Sequence, residues 1–101
     1  MRAVAAIVIL VAVALTACSD ASAGKYGADL FGVTCAHCHG SDLGGVVGPP
    51  LGAGSGAVVL TDEQIAGVIS VGPGAMPAFA DRLTDEQVES LIDYLRERQR
   101  P

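Results

Sequence analysis

Near its end the chain alternates apolar and polar residues with the period of an α-helix. Four apolar residues occupy the spacing i, i+3, i+4 and i+7, which places them on one helix face: Val88, Leu91, Ile92 and Leu95. A T-D-E-Q sequence that begins at Thr84 precedes them. It is a capping box, in which the threonine and glutamine side chains each bond the other residue's backbone N–H. We therefore predict an amphipathic helix that begins after Thr84.

The same T-D-E-Q sequence recurs at Thr61 and predicts a second, shorter helix. Its inward face is expected to consist of Ile65, Val68 and Ile69. Residues 40–56 are rich in glycine and contain two prolines, so they are expected to form a loop. The alternation typical of a β-strand persists nowhere, and the pattern indicates an all-α protein.

The first residues have the layout of an export signal. Arg2 is followed by Ala3–Leu15, an uncharged apolar stretch that is shorter than the ~20 residues of a membrane-spanning helix. The sequence Leu15-Thr16-Ala17-Cys18 that ends it resembles the lipobox of bacterial lipoproteins. We therefore expect residues 1–17 to be a signal peptide, Cys18 to carry lipid, residues 18–24 to be a tether and residues 25–101 to form the folded domain.

Two other fates of this segment stay open. The small residues Ala21-Ser22-Ala23 fit the site of the ordinary signal peptidase, which would cut before Gly24 and discard Cys18. The segment could also remain uncut as a membrane anchor. All three interpretations place residues 24–101 outside the cytoplasmic membrane.

Charge and size exclude several classes of protein. The chain has 101 residues and a net charge of −5, which becomes −6 when Arg2 leaves with the signal peptide. This negative charge opposes nucleic acid or anionic lipid as a partner. A domain of about 80 residues with no Trp, two Tyr and two Phe builds only a thin core. Such a domain needs a disulfide, a metal, a cofactor or a partner to stabilise it.

Cys35, Cys38 and His39 form C-x-x-C-H, the attachment sequence of a c-type haem. Positions i, i+3 and i+4 share one face of a helical turn. The two thiols can therefore bond the two vinyl groups of one haem, while the imidazole points at the iron. We expect one covalent haem c, with His37 in a variable, partly exposed position.

Other uses of the cysteine pair fit less well. A redox-active or disulfide-forming C-x-x-C is expected in a βαβ context, and no β-rich run flanks this one. A structural zinc site needs four ligands, and the only histidine besides His39 is His37, within the same motif.

Met76 is the candidate for the sixth iron ligand by elimination. Residues 18–101 contain no other methionine and no histidine outside the motif. Pro77 disfavours helical geometry at Met76, and Pro73 with two neighbouring glycines makes a loop that can reach the iron. A methionine is often simply a core residue, but its place in this loop favours a thioether ligand, and His/Met ligation raises the haem potential.

Together these motifs resemble those of the class I, monohaem cytochromes c, and the resemblance covers residues 25–99. Four segments match the family's first helix, its Gly-Pro-x-Leu loop, its methionine loop and its last helix: residues 26–31, 48–51, 76–79 and 91–95. The resemblance implies the small cytochrome c fold. In it, three to four helices and Gly/Pro-rich loops wrap around one covalently bound haem.

The resemblance also implies particular contacts. The carbonyl of Pro49 would accept the Nδ1–H of His39, which orients the imidazole and makes it more basic. Gly27 would let the first and last helices approach closely, with Phe31, Leu91 and Tyr94 around the crossing. The chain is short between residues 51 and 61, so it should lack the loop that covers one haem edge in larger members.

The resulting hypothesis is an exported one-electron carrier that is not an enzyme. It would be held by lipid on Cys18 at the periplasmic or extracytoplasmic face of the cytoplasmic membrane. Its partners would be redox proteins of a respiratory or periplasmic electron-transfer chain. A subunit permanently docked in an oxidase or dehydrogenase complex is the alternative. A small haem peroxidase or gas sensor fits less well, because it needs an open iron site.

Overall fold

The computed structural model describes residues 21–101, and the predictions for residues 1–17 and Cys18 lie outside them. Four helices follow one another along the chain: α1 (Gly27–Thr34), α2 (Ala36–His39), α3 (Asp62–Val71) and α4 (Asp85–Gln99). A 3-10 turn, Gly56–Val59, interrupts the long connection between α2 and α3. No residue of the described part lies in a β-strand, and the all-α prediction is confirmed.

No helix among residues 21–101 is long and apolar enough to cross a membrane.

Both predicted capping boxes are present. At the start of α3, Gln64 N–H donates to Thr61 Oγ1 over 3.1 Å, and Thr61 N–H donates to Gln64 Oε1 over 2.9 Å. Thr84 and Gln87 make the same two hydrogen bonds at the start of α4. Each box satisfies two N–H groups that have no partner within the helix, so these sequences determine where α3 and α4 begin.

The core lies where α4 crosses α1 and packs beside α3. Leu91, Ile92 and Leu95 of α4 are buried, as the periodicity predicted. The rings of Phe31 and Tyr94 meet at the crossing with their centroids 5.3 Å apart. The buried apolar cluster comprises Leu30, Phe31, Leu43, Ile65, Ile69, Phe79, Leu83, Leu91, Ile92 and Leu95.

The prediction that Val68 points inward is wrong. Ile65 and Ile69 are buried, whereas Val68 remains 38 % exposed. Successive residues of a helix are about 100° apart, so Val68 lies well to one side of the direction shared by the two isoleucines. The buried stripe of α3 is narrower than the apolar pattern of its sequence.

The expectation that Gly27 lets α1 and α4 approach closely is also wrong. A Cβ atom built on Gly27 meets no atom within 4 Å, so its missing side chain is not what allows α1 and α4 to approach. Gly27 has a φ of +54°, a conformation that favours glycine. In that conformation its N–H donates to Ser90 Oγ of α4 over 3.0 Å.

The segment before α1 is held against α4. Residues 21–24 form a turn, within which Ser22 is buried. The Nε2 group of Gln87 donates to the Ser22 carbonyl over 2.8 Å and to the Lys25 carbonyl over 3.1 Å. The part of the expected tether that the structure describes is therefore fixed to the domain.

The end of α4 holds the connection that leads into α3. Arg96 Nε donates to Asp62 Oδ1 over 2.9 Å, and another guanidinium nitrogen of Arg96 donates to the Leu60 carbonyl. The buried Gln99 donates from Nε2 to the Leu51 carbonyl over 3.0 Å and accepts a hydrogen bond from Arg96. These contacts fasten both ends of the short segment between residues 51 and 62.

Gln99→Ala should lower the free energy of unfolding by about 1–3 kcal/mol, because the Leu51 carbonyl loses its buried donor. Urea unfolding followed by circular dichroism measures this change. Gln64→Ala is the control, since Gln64 is exposed, and it should cost less than about 1 kcal/mol. Equal losses in the two variants would show that the Gln99 contact does not stabilise the connection.

Candidate functional site

One helical turn carries three of the predicted site residues. Cys35 precedes α2 with helical backbone angles, and the N–H groups of Cys38 and His39 donate to its carbonyl over 3.2 and 3.0 Å. The spacing i, i+3 and i+4 is therefore realised in a turn of helix. Both cysteines are free, half-buried thiols, and His37 is exposed.

The environment of Cys35 disfavours a redox-active role for the cysteine pair. Burial, and to a lesser degree the neighbouring Cys38, raise the pKa of the Cys35 thiol to about 11. The thiol is therefore protonated at neutral pH. Redox-active C-x-x-C pairs depend on a lowered thiol pKa, which makes that alternative less favourable here.

His39 is buried and its ring orientation is fixed by the loop that follows. Its Nδ1 lies 2.8 Å from the carbonyl oxygen of Pro49, the contact that the family resemblance implied. A carbonyl can only accept, so Nδ1 carries the proton and donates it. In the neutral ring, this leaves the lone pair that a metal ligand needs on the other nitrogen, Nε2.

The loop that supplies Pro49 is fastened to α2 by backbone hydrogen bonds. Gly48 N–H donates to the Cys38 carbonyl over 2.7 Å, and Gly45 N–H donates to the His39 carbonyl over 2.8 Å. A Cβ atom on Gly48 would lie only 2.8 Å from Cε1 of His39. Glycine at this position therefore lets the loop pack directly on the imidazole ring.

Leu43 anchors the same loop in the core at the expense of backbone strain. It is the one non-glycine residue of the described chain with a positive φ, +63°, and its side chain is fully buried. Such a backbone costs about 1 kcal/mol or more in a residue with a Cβ atom. The Leu51 N–H donates to the Leu43 carbonyl over 2.9 Å and closes the loop. Nothing in the sequence of this glycine-rich loop predicts a positive φ at a leucine.

Met76 lies in an irregular loop, as predicted, and it is half-buried against the core cluster. The loop returns to the end of α3, where Phe79 N–H donates to the Ile69 carbonyl over 3.0 Å. Ala80 N–H donates to the Ser70 carbonyl over 3.3 Å. Met76 and Cys35 thus pack on one shared apolar cluster.

Gly72 positions the methionine loop, a role that the sequence pattern did not reveal. It ends α3 in the left-handed conformation, with φ +66°. A Cβ atom there would lie 2.5 Å from the Ala78 nitrogen and 2.6 Å from the Met76 carbonyl oxygen. The available signal was a glycine after the last periodic residue, which marks a helix end. That signal does not show that the methionine loop passes close to the same glycine.

These donors match what a covalent haem requires. Two unpaired thiols flank one helical turn, and the adjacent imidazole is oriented through Nδ1 by the Pro49 carbonyl. A thioether lies in a loop packed on the same core.

Comparison with known sequences agrees with this assignment. A family profile described as "Cytochrome C oxidase, cbb3-type, subunit III" matches residues 22–95. Cytochrome c6 of Leptolyngbya boryana is 35 % identical over 80 residues, which cover 76 % of this chain and 91 % of the relative. The menaquinol:cytochrome c reductase cytochrome c subunit of Geobacillus thermodenitrificans is 41 % identical over 60 residues. That match covers 59 % of this chain but only 22 % of the relative.

The fold is similar to those of solved cytochromes. The crystal structure of cytochrome c6C from Synechococcus sp. PCC 7002 superposes with a TM-score of 0.64 and 28 % sequence identity. The superposition covers 74 % of this chain and 95 % of that structure.

Gly48→Ala should displace the His39 ring from Pro49, because the new methyl group overlaps Cε1. We expect an unfolding free energy lower by about 1–3 kcal/mol. The reduction potential of the haem-loaded protein should rise, because a less basic imidazole stabilises the oxidised state less. Denaturation and potentiometric titration measure the two effects.

Gly56→Ala is the matched control, since a Cβ atom there meets nothing within 4 Å and its φ is not in the left-handed region. An unchanged potential in Gly48→Ala would contradict the positioning role of this loop.

Proposed function

The chain belongs to the class I, monohaem cytochromes c, and from this premise we propose that it is an exported electron carrier whose haem iron is ligated by His39 and Met76. As a small c-type cytochrome it carries electrons and holds one covalent haem c. The observation that carries the proposed ligation is the hydrogen bond from His39 Nδ1–H to Pro49, which leaves Nε2 free to bind iron.

Each site residue has a separate task in this proposal. Cys35 and Cys38 would hold the haem through thioether bonds, and His39 would bind the iron. When bound, haem supplies a one-electron couple between ferrous and ferric iron. The protein orients the imidazole through Pro49 and keeps the site apolar with the core cluster, both of which tune the potential.

Met76 completes the ligand set in this proposal. The contact between Gly72 and the backbone of residues 76–78, together with the hydrogen bonds to the end of α3, restrains its loop. A restrained loop reduces the entropy lost when the thioether binds. With His39 and Met76 both bound, the iron would offer small molecules no open site, as a carrier requires.

A second candidate function is that of a docked subunit in a larger redox complex. Two findings favour it: the matching family profile is described as an oxidase subunit, and the Geobacillus relative is named as a subunit of a menaquinol:cytochrome c reductase. The chain spans less than a quarter of that relative's length. Recovery of a stoichiometric complex after purification in mild detergent would favour the docked subunit over the mobile carrier.

We further propose that the carrier is exported, lipid-anchored through Cys18 and served by membrane-associated redox proteins. The lipobox supports the anchor, and the name of the Geobacillus relative supports a partner that reacts with membrane quinol. Acidic residues are exposed in the first turns of α3 and α4: Asp62, Glu63, Asp85 and Glu86. A partner with a basic surface suits this charge, and salt should slow electron transfer by screening the pair.

Met76→Ala should abolish the weak red absorption band of iron–sulfur bonding in the oxidised protein. It should also lower the reduction potential and allow the reduced haem to bind carbon monoxide, because the sixth position opens. Optical spectroscopy with and without carbon monoxide measures these effects.

Val88→Ala is the control for Met76→Ala, because it shortens another half-buried side chain on the same core cluster without removing a donor. It should keep the band and exclude carbon monoxide. An unchanged spectrum in Met76→Ala would mean that another side chain binds the iron. Lys25, the only lysine of the chain, would then be tested by Lys25→Ala.

Cys18→Ser should move the protein from the detergent phase to the aqueous phase in a phase-partitioning experiment, because the serine cannot form the lipid thioether. Intact mass should show lipid on the wild type only. An aqueous wild type would contradict the lipid anchor and favour cleavage before Gly24, while the haem assignment rests on other residues.

A further inference from the structure

The chain emerges from the folded domain at Ser22. The carbonyls of Ser22 and Lys25 both accept hydrogen bonds from Gln87 Nε2, and Lys25 N–H closes the turn by donating to the Ser22 carbonyl over 3.1 Å. Ser22 is only 5 % exposed. From Ser22 onward, the chain is therefore fixed to the domain.

The exit point lies beside the methionine loop. Ala21 and Ser22 line a cavity of about 210 Å³ together with Pro77, Phe79 and Arg82. Pro77 directly follows Met76, and Arg82 stands over the Phe79 ring with its guanidinium carbon 5.1 Å from the centroid. We call the surface formed by these five residues the exit face.

The geometry limits how the domain can sit above a membrane. Four residues from Cys18 to Ser22 span at most about 14 Å when fully extended. The exit face must stay within that distance of a lipid on Cys18. Arg98, near the other end of α4, lies about 16 Å from Gln87 along the helix axis.

We propose that the exit face is the surface that the domain turns toward the lipid bilayer, with the methionine loop near the membrane and the end of α4 away from it. The inference rests on the proposed lipid anchor and names the surface that this anchor presents. It would place the methionine loop closer to a membrane-embedded partner than the end of α4.

The two T-D-E-Q sequences provide a matched pair of variants. Gln64 is exposed and makes the two hydrogen bonds of its capping box, whereas Gln87 is buried and also holds the N-terminal turn. Glutamate at either position retains the capping oxygen but loses the Nε2 donor. Gln87→Glu should therefore release the turn, and Gln64→Glu should not.

The test uses the full-length, haem-loaded, lipidated protein on phosphatidylcholine vesicles that contain a nickel-chelating lipid. A nitroxide is attached in Arg82→Cys or in Arg98→Cys, two exposed arginine positions. Nickel at the bilayer surface should enhance relaxation several-fold more at position 82 than at position 98. Gln87→Glu should make the relaxation enhancements at positions 82 and 98 similar, and Gln64→Glu should preserve the difference between them.

A second variant tests the proposed orientation even if Gln87→Glu does not fold. A flexible Gly/Ser segment inserted after Asp20 lengthens the tether and should reduce the enhancement at position 82. Equal enhancement at both positions in vesicle-bound wild type would overturn the proposed orientation and leave the lipid anchor standing. Protein that carries no lipid and does not bind the vesicles would overturn both.

Discussion

The hydrogen bond from His39 to the Pro49 carbonyl links the two parts of the chain on which the site depends. On one side is the helical turn that carries both cysteines. On the other is the glycine-rich loop, which returns to the core through Leu43 and Leu51. Because the carbonyl accepts from Nδ1, the same contact determines which nitrogen can bind metal. Loop conformation and ligand chemistry are therefore coupled in this domain.

Polar side chains at the two ends of α4 compensate for a thin apolar core. Gln87 holds the segment before α1, and Gln99 with Arg96 holds the connection before α3. Each buried amide donates to backbone carbonyls of a distant segment, and leaving a buried donor of this kind unsatisfied is costly. The last helix thus fastens distant segments that are too short to build cores of their own.

Local sequence predicted the helices and the attachment motif because their signals lie within a few residues. Both capping boxes, the buried face of α4 and the C-x-x-C-H turn depend on contacts between residues three or four apart. The irregular loop around Met76 was predictable for the same reason, since proline acts on its immediate neighbours.

Only the tertiary structure decided how identical local signals are used. Gln64 and Gln87 occupy the same position of the same motif, yet Gln87 is buried because the chain near residue 22 packs upon it. Val68 failed as a core residue because α3 touches the core along a narrow stripe. Position 72 requires glycine because the backbone of residues 76–78 passes too close for a Cβ atom. Position 27 favours glycine because of its positive φ, and not because α1 and α4 pack closely there. The donor set and the lipobox-like sequence that predicts a tether can be recognised in the sequence alone. The segment before α1 is held to α4 by hydrogen bonds between residues more than 60 positions apart, which local patterns do not encode.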